Sequence, residues 1–202
     1  MRVSRAERQL QTREAVIAAA DALFVERGFH ASSVGDIAAA AGYTKGAVYS
    51  NFASKEDVFF AVYERRAQRG AAEIERVLAG DVGEGLDALA RGAAQRRGTA
   101  AEDGWLATFF EFWAHVVRRP ALRERFAEIH ARAHAPIVAA LERYGAEPGE
   151  DLRRRVVAVY AMQLGLSLER LTQPELVDDQ LGVRMGRIFL EEVDGVSMDQ
   201  AG

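Results

Sequence analysis

The chain has 202 residues, of which 49% are hydrophobic, and it contains no cysteine. That size allows one medium domain or a small domain joined to a larger one, and the missing cysteine excludes disulfides, thiolate metal sites and cysteine nucleophiles. The net charge of −4 does not mark a nucleic-acid binder, but its distribution is uneven. Residues 1–69 hold ten Lys and Arg against eight Asp and Glu, and the remainder sixteen against twenty-two. The small basic excess therefore lies in the N-terminal third, together with the chain's two lysines, Lys45 and Lys55. The opening residues have no apolar signal-peptide core and no apolar run is long enough to span a bilayer, so a soluble, cytoplasmic chain without a membrane partner is expected.

Ala, Leu, Arg and Glu dominate and Gly and Pro fall between periodic stretches, which predicts an all-α chain of about nine helices. Val16, Ile17, Ala20, Leu23 and Phe24 give helical spacing over 10–27, with Gly28 as a stop. Ser33 can cap a short second helix that ends at Gly42. Thr44 can cap a third through Asn51, and Ser54 a long fourth to about Ala79. Further helices are predicted near 84–97, 103–118, 120–144, 150–172 and 178–193. Arg2, Arg5 and Arg8 read as a basic arm or a loose tail.

Two short helices joined by a tight glycine turn over 33–51 form the pattern of a helix-turn-helix, whose second helix enters the major groove. The residue types suit that use. Thr44 brings a hydroxyl to a helix N-terminus, where backbone N–H groups can also hold a phosphate, and Lys45 adds charge. Gly46 permits close approach of the backbone to DNA. Tyr49 offers a ring for the sugar-phosphate backbone and a hydroxyl for phosphate. Lys55, just inside the fourth helix, is expected to reach phosphate, and Ser33 is a cap first and a phosphate ligand second. Ala47 can touch a thymine methyl. The third helix has no Arg or Gln to read a base bidentately, so phosphate contacts should dominate.

The segment 43–59 and the stretch before it resemble the TetR family. Gly42, Thr44, Lys45, Gly46, Tyr49, Phe52, Ser54, Lys55 and Glu56 all match the family pattern, and the likeness covers about residues 10–60. Ser50 stands where members often carry histidine and Asn51 where they often carry an aromatic. The resemblance implies a DNA-binding head over 1–53, with Ser33, Thr44, Lys45, Gly46, Ala47, Tyr49, Ser50 and Lys55 as its contacts, and a helical effector-binding and dimerisation domain over 54–202. It implies a regulator rather than an enzyme, most simply a repressor released from a pseudo-palindromic operator by a small, largely apolar ligand, with no cofactor.

The helices at 150–172 and 178–193 carry apolar stripes (Leu152, Val156, Tyr160, Leu164, Leu168 and Leu171; Leu181, Met185, Ile188, Phe189 and Val193). The resemblance assigns them to a homodimer interface. The helix at 104–117 is apolar almost all round and therefore buried. Core packing is its plainest use; a ligand cavity walled by Trp105, Phe109, Phe112 and Trp113, with Glu111, His115, His130, His134 and Gln163 as polar contacts, is the use the resemblance favours. Glu111 and His115, and His130 and His134, are each spaced four apart on a helix. A metal-binding protein or helical enzyme built on these four groups is the alternative reading.

Overall fold

A computed structural model describes residues 4–78, 98–143, 146–178, 181, 182, 184 and 185. Among these are seven α-helices and no strand: α1 Arg5–Ala31, α2 Val34–Ala41, α3 Lys45–Tyr49, α4 Lys55–Leu78, α5 Ala100–Val117, α6 Pro120–Arg143 and α7 Glu150–Thr172. The all-helical class is as expected. The helix predicted at 84–97 lies outside the described residues, as does most of the one at 178–193, and this accounts for seven against nine. No helix among the described residues is long and apolar enough to cross a membrane.

Helix α1 starts earlier than its apolar spacing suggested. The Ser4 hydroxyl accepts the Glu7 N–H at 3.1 Å, and the Glu7 carboxylate accepts the Ser4 N–H at 2.6 Å. This capping box satisfies donors that a helix start leaves free. Arg5 and Arg8 therefore sit on the first turns of a helix and not in a loose tail, while Arg2 lies outside the described residues. At Gly28 the backbone leaves helical geometry, with φ 84° and ψ 171°, and a last turn follows through Ala31. A positive φ with that ψ is a conformation essentially reserved for glycine.

The next two helices are set by local chemistry. Ser33 and Asp36 form a second capping box at the start of α2. Gly42, at φ 76°, closes α2 in the left-handed conformation. Thr44 caps α3 by accepting the Ala47 N–H at 3.2 Å. Helix α3 stops at Tyr49, short of the predicted Asn51. There the Ser50 hydroxyl and the Asn51 amide both donate to the Ala47 carbonyl, at 2.8 and 2.9 Å, offering the backbone an alternative to another helical bond.

Packing divides the chain into two compact units, residues 1–67 with 99–129 and residues 68–98 with 130–202. The first is built around aromatic rings. Phe24, Phe29, Phe59, Phe60 and Phe112 are fully buried. Phe59 and Phe112 stack with centroids 3.8 Å apart, and Phe29 meets Phe112 edge-on at 4.9 Å. Such pairs add about 0.5–1.5 kcal/mol beyond the area they bury.

Helix α5 lies close against α1. A Cβ on Gly104 would stand 2.3 Å from the Val25 carbonyl oxygen, so only glycine fits. One turn on, the buried Thr108 hydroxyl lies within hydrogen-bonding distance of the carbonyls of Phe24 and Gly104. Asp21 accepts from Arg65 and Arg66, and the Arg66 guanidinium lies 4.2 Å over the Trp105 ring.

In the second unit, α7 buries Leu152 and Val156 but leaves Val157, Leu168 and Leu171 substantially exposed. Tyr160 packs against His130 and His134, with the three ring centroids 4.4–5.0 Å apart. Gln163 donates to the Gly182 carbonyl at 2.7 Å.

Candidate nucleic-acid interface

The short helix α3 has one buried side, formed by Val48 at 1% exposure. The rest of it lies at or near the surface. Thr44, Lys45, Gly46, Tyr49 and Ser50 are exposed, and Ala47 is half-buried. Tyr49, the last residue of α3, is 55% exposed. A Cβ added to Gly46 would meet nothing closer than the Thr44 hydroxyl at 3.8 Å. No internal packing therefore requires glycine there.

Lys45 and Ser33 come together. The aliphatic end of Lys45 crosses Gly35, where an added Cβ would stand 2.6 Å from Cε and 3.1 Å from Nζ. This carries the ammonium to the first turn of α2, close to Ser33 and Asp36. Ser33 holds the Asp36 carboxyl below the usual carboxylate range, through hydrogen bonds from its hydroxyl and its N–H. The Ser33 hydroxyl is thus engaged as a cap while remaining at the surface.

Ser50 is turned back onto its own helix. Its hydroxyl donates to the Ala47 carbonyl and accepts from the Asn51 amide at 3.2 Å. A base contact from Ser50 competes with that closure.

Lys55 has a use that its sequence context did not disclose. Its Nζ donates to the carbonyls of Phe29 at 2.7 Å and Ser32 at 3.0 Å, and lies 4.2 Å from the centre of the Phe29 ring. Burial lowers its pKa, against the raising influence of Glu56 and Glu111. Two of its three N–H groups thus hold carbonyls at the end of α1.

Glu111 and His115, paired in sequence, each find a partner elsewhere. The Glu111 carboxylate accepts the His30 N–H at 3.2 Å, and His115 Nε2 meets a Glu56 carboxylate oxygen at 3.0 Å. Burial would raise the Glu56 pKa, but its own N–H and His115 hold it below the ordinary range. The described residues hold no group of three or more His, Cys, Asp or Glu placed to bind a metal.

The expected effector residues fall into two sets. Trp105, Phe109, Phe112 and Trp113 belong to the first unit and His130, His134 and Gln163 to the second. Phe109 and Phe112 are filled-in core, at 2% and 0% exposure, while Trp105 and Trp113 are half-buried. Trp105 stacks on Phe59 at 5.5 Å and Trp113 meets Phe109 edge-on at 5.2 Å. His134 is 6% exposed and its Nε2 is buried with no hydrogen-bond partner among the described residues. Gln163 lines a small pocket in the second unit with Leu166, Ser167, Arg170, Asp178 and Gly182.

A capped short helix bearing exposed Thr, Lys, Gly and Tyr, set after a glycine turn, defines a helix-turn-helix head. Residues 16–62 match the family model described as bacterial regulatory proteins, tetR family, and residues 84–195 match the model of the C-terminal part of BetI-type transcriptional repressors. The chain belongs to the TetR family of bacterial regulatory proteins.

Among its relatives is the transcriptional repressor BepR of Brucella suis, 43% identical over 65 residues, which are 32% of this chain and 31% of BepR. The curated relatives are matched over only about a third of their length. A TetR-family regulator from Rhodococcus sp. has the same fold, with a TM-score of 0.70 at 22% identity over 91% of this chain and 98% of that one. A regulator from Saccharomonospora viridis, in complex with choline, matches with a TM-score of 0.62 at 20% identity over 89% and 95%.

Proposed function

We propose that this chain is a sequence-specific DNA-binding repressor, not an enzyme, which acts in the cytoplasm as a homodimer. One observation carries the reading: α3 buries Val48 and turns Thr44, Lys45, Gly46 and Tyr49 together into solvent. In the major groove, the α3 N-terminus, Thr44 and Lys45 would hold one phosphate strand, with Tyr49 along the backbone and Ala47 against a thymine methyl. Ser33, at the start of α2, and the remaining N–H of Lys55 would meet neighbouring phosphates. Residues 1–53 would serve as the head and 54–202 as the part that takes an effector and dimerises.

A head this small reads few base pairs, so two-fold pairing would double the site and make the operator a pseudo-palindrome. The exposed apolar residues Val157, Leu168 and Leu171 on α7 support a dimer through that helix and the segment 178–193. A small, largely apolar effector is the signal we assign, since the family resemblance favours it and one structural neighbour carries choline. Trp105, Trp113, His130, His134 and Gln163 are its candidate contacts. Phe109 and Phe112 would take part only if the aromatic cluster opened.

The test is selection of bound fragments from the source genome, followed by footprinting. Two protected half-sites about one helical turn apart are expected, with binding lost in a variant lacking the Lys45 and Tyr49 side chains. Fragments without dyad symmetry, or full binding by that variant, would overturn the reading.

A further inference from the structure

Four residues of α5 line up on one face. Gly104, Thr108, Glu111 and His115 are spaced four, three and four apart, which at about 100° per residue keeps them within roughly 60° of one another around the helix. Each touches the region around the end of α1 or the start of α4. Gly104 abuts the Val25 carbonyl, Thr108 reaches the Phe24 carbonyl, Glu111 takes the His30 N–H and His115 meets Glu56. The aromatic residues Trp105, Phe109, Phe112 and Trp113 occupy the neighbouring arc.

Glu111 holds the critical position on this strip. Helix α1 breaks at Gly28, and a Cβ there would stand 2.5 Å from Glu111 Oε1. The carboxylate thus fills the space that glycine leaves open and binds the first N–H but one beyond the break. Lys55, near enough to Glu111 to feel its charge, holds the carbonyls of Phe29 and Ser32. Between them, a carboxylate and an ammonium fix Phe29–Ser32, the corner from which α2 departs. Ser33, the α2 cap, follows directly.

We propose that Glu111 is a positioning residue for DNA binding: seated in the Gly28 break, it fixes the α1–α2 corner from α5 and so sets the aim of the helix-turn-helix. The inference rests on the DNA-binding reading above and on no particular effector. Glu111 is not among the DNA contacts proposed above, so its loss should relax geometry and leave Lys45 and Lys55 in place.

The experiment compares the full-length protein with Glu111→Ala, Glu111→Gln and Glu111→Asp. Gln keeps an acceptor at the same reach; Asp keeps the charge but draws it back by one methylene. The probes are a duplex selected by the wild-type protein from a random pool and an unselected duplex at the same salt. In the DNA-free protein, exchange of the His30 amide should accelerate about tenfold or more in Glu111→Ala and stay near wild type in Glu111→Gln, while amides of Val16–Leu23 keep their protection. Affinity for the selected duplex should fall about tenfold in Glu111→Ala, the cost of ordering on binding a corner the carboxylate no longer holds, less in Glu111→Asp and little in Glu111→Gln. Affinity for the unselected duplex should hold. Unchanged His30 exchange, or parallel loss of both affinities, would overturn the inference while leaving the DNA-binding reading intact. A wild-type protein that selects no duplex overturns both. Glu111→Asp carries the same comparison if Glu111→Ala does not fold.

Discussion

Lys55 Nζ lies 2.7 Å from the Phe29 carbonyl oxygen and 4.2 Å from the centre of the Phe29 ring. One side chain at the start of α4 therefore holds both the main chain and the side chain of the last turn of α1. Replacing it by Met keeps the stem and removes the ammonium, leaving two helix-end carbonyls without that donor. We expect Lys55→Met to cost about 1–3 kcal/mol, or a melting temperature lower by roughly 2–12 °C for a chain of this length. If its third N–H also meets phosphate, operator and random duplex should weaken by the same factor. Unchanged binding of random duplex would restrict Lys55 to the internal role.

Lys45 should behave differently. It is exposed, and its stem only crosses Gly35, so Lys45→Ala should shift stability by no more than about 0.5 kcal/mol. Under the proposed function its ammonium meets a phosphate. The slope of log affinity against log salt should become shallower by about 0.9, the contribution of one neutralised phosphate. A salt titration of wild type and variant checks this, and an unaltered slope would remove Lys45 from the interface.

The comparison of Lys45 with Lys55 shows what could be read in advance. Sequence placed both near DNA because both fall in a recognisable segment. It could not separate them, since the partners of Lys55 are carbonyls 23 and 26 residues away, brought near only by the packing of α1 on α4. The caps at Ser33 and Thr44 and the turn at Gly42 were legible because their chemistry spans three or four residues. Ser4 and Glu7 are equally local, but they precede the apolar spacing, which begins at Val16. The spacing of Glu111 and His115 puts them on one helix face; their partners, the His30 amide and Glu56, are tertiary and leave no trace in it.

The aromatic segment separates core from candidate effector contacts. Phe112 is fully buried and touches Phe29, Phe59 and Phe60. Phe112→Ala should cost about 3–5 kcal/mol, the loss of a buried ring plus the cavity it leaves. Trp113 is half-buried, and Trp113→Phe should cost less than about 1.5 kcal/mol, as a swap that keeps most of the aromatic contact. Denaturant melts of the two variants decide between these expectations. Equal losses would place Trp113 in the core and remove it as an effector contact.

The exposed apolar residues of α7 predict an association defect. Val157 and Leu168 are 49% and 42% exposed, and a charge placed among them would have to be desolvated in a dimer. Leu168→Glu should therefore raise the dimer dissociation constant by about a hundredfold or more, corresponding to roughly 3 kcal/mol. Helical content should remain unchanged. Sedimentation across a concentration series measures it. A variant as dimeric as wild type would exclude this face from the interface.

The pH dependence of stability should carry the mark of His130. Burial, reinforced by the neighbouring His134, pushes its pKa down to about 4, against about 6.5 in an unfolded chain. Between those values the unfolded state binds a proton that the folded state does not, so stability rises with pH. The contribution is fully present above about pH 6.5 and is lost as pH falls toward 4. With His130 partly exposed, solvent screening reduces the ideal value, and about 1–2 kcal/mol is expected. Glu and Asp titrate over part of the same range, so the measurement is a difference: urea melts at pH 7.5 and 4.5 for wild type and His130→Phe. The variant should lose that much less stability on acidification. Parallel losses in the two proteins would show that His130 takes up its proton as readily folded as unfolded.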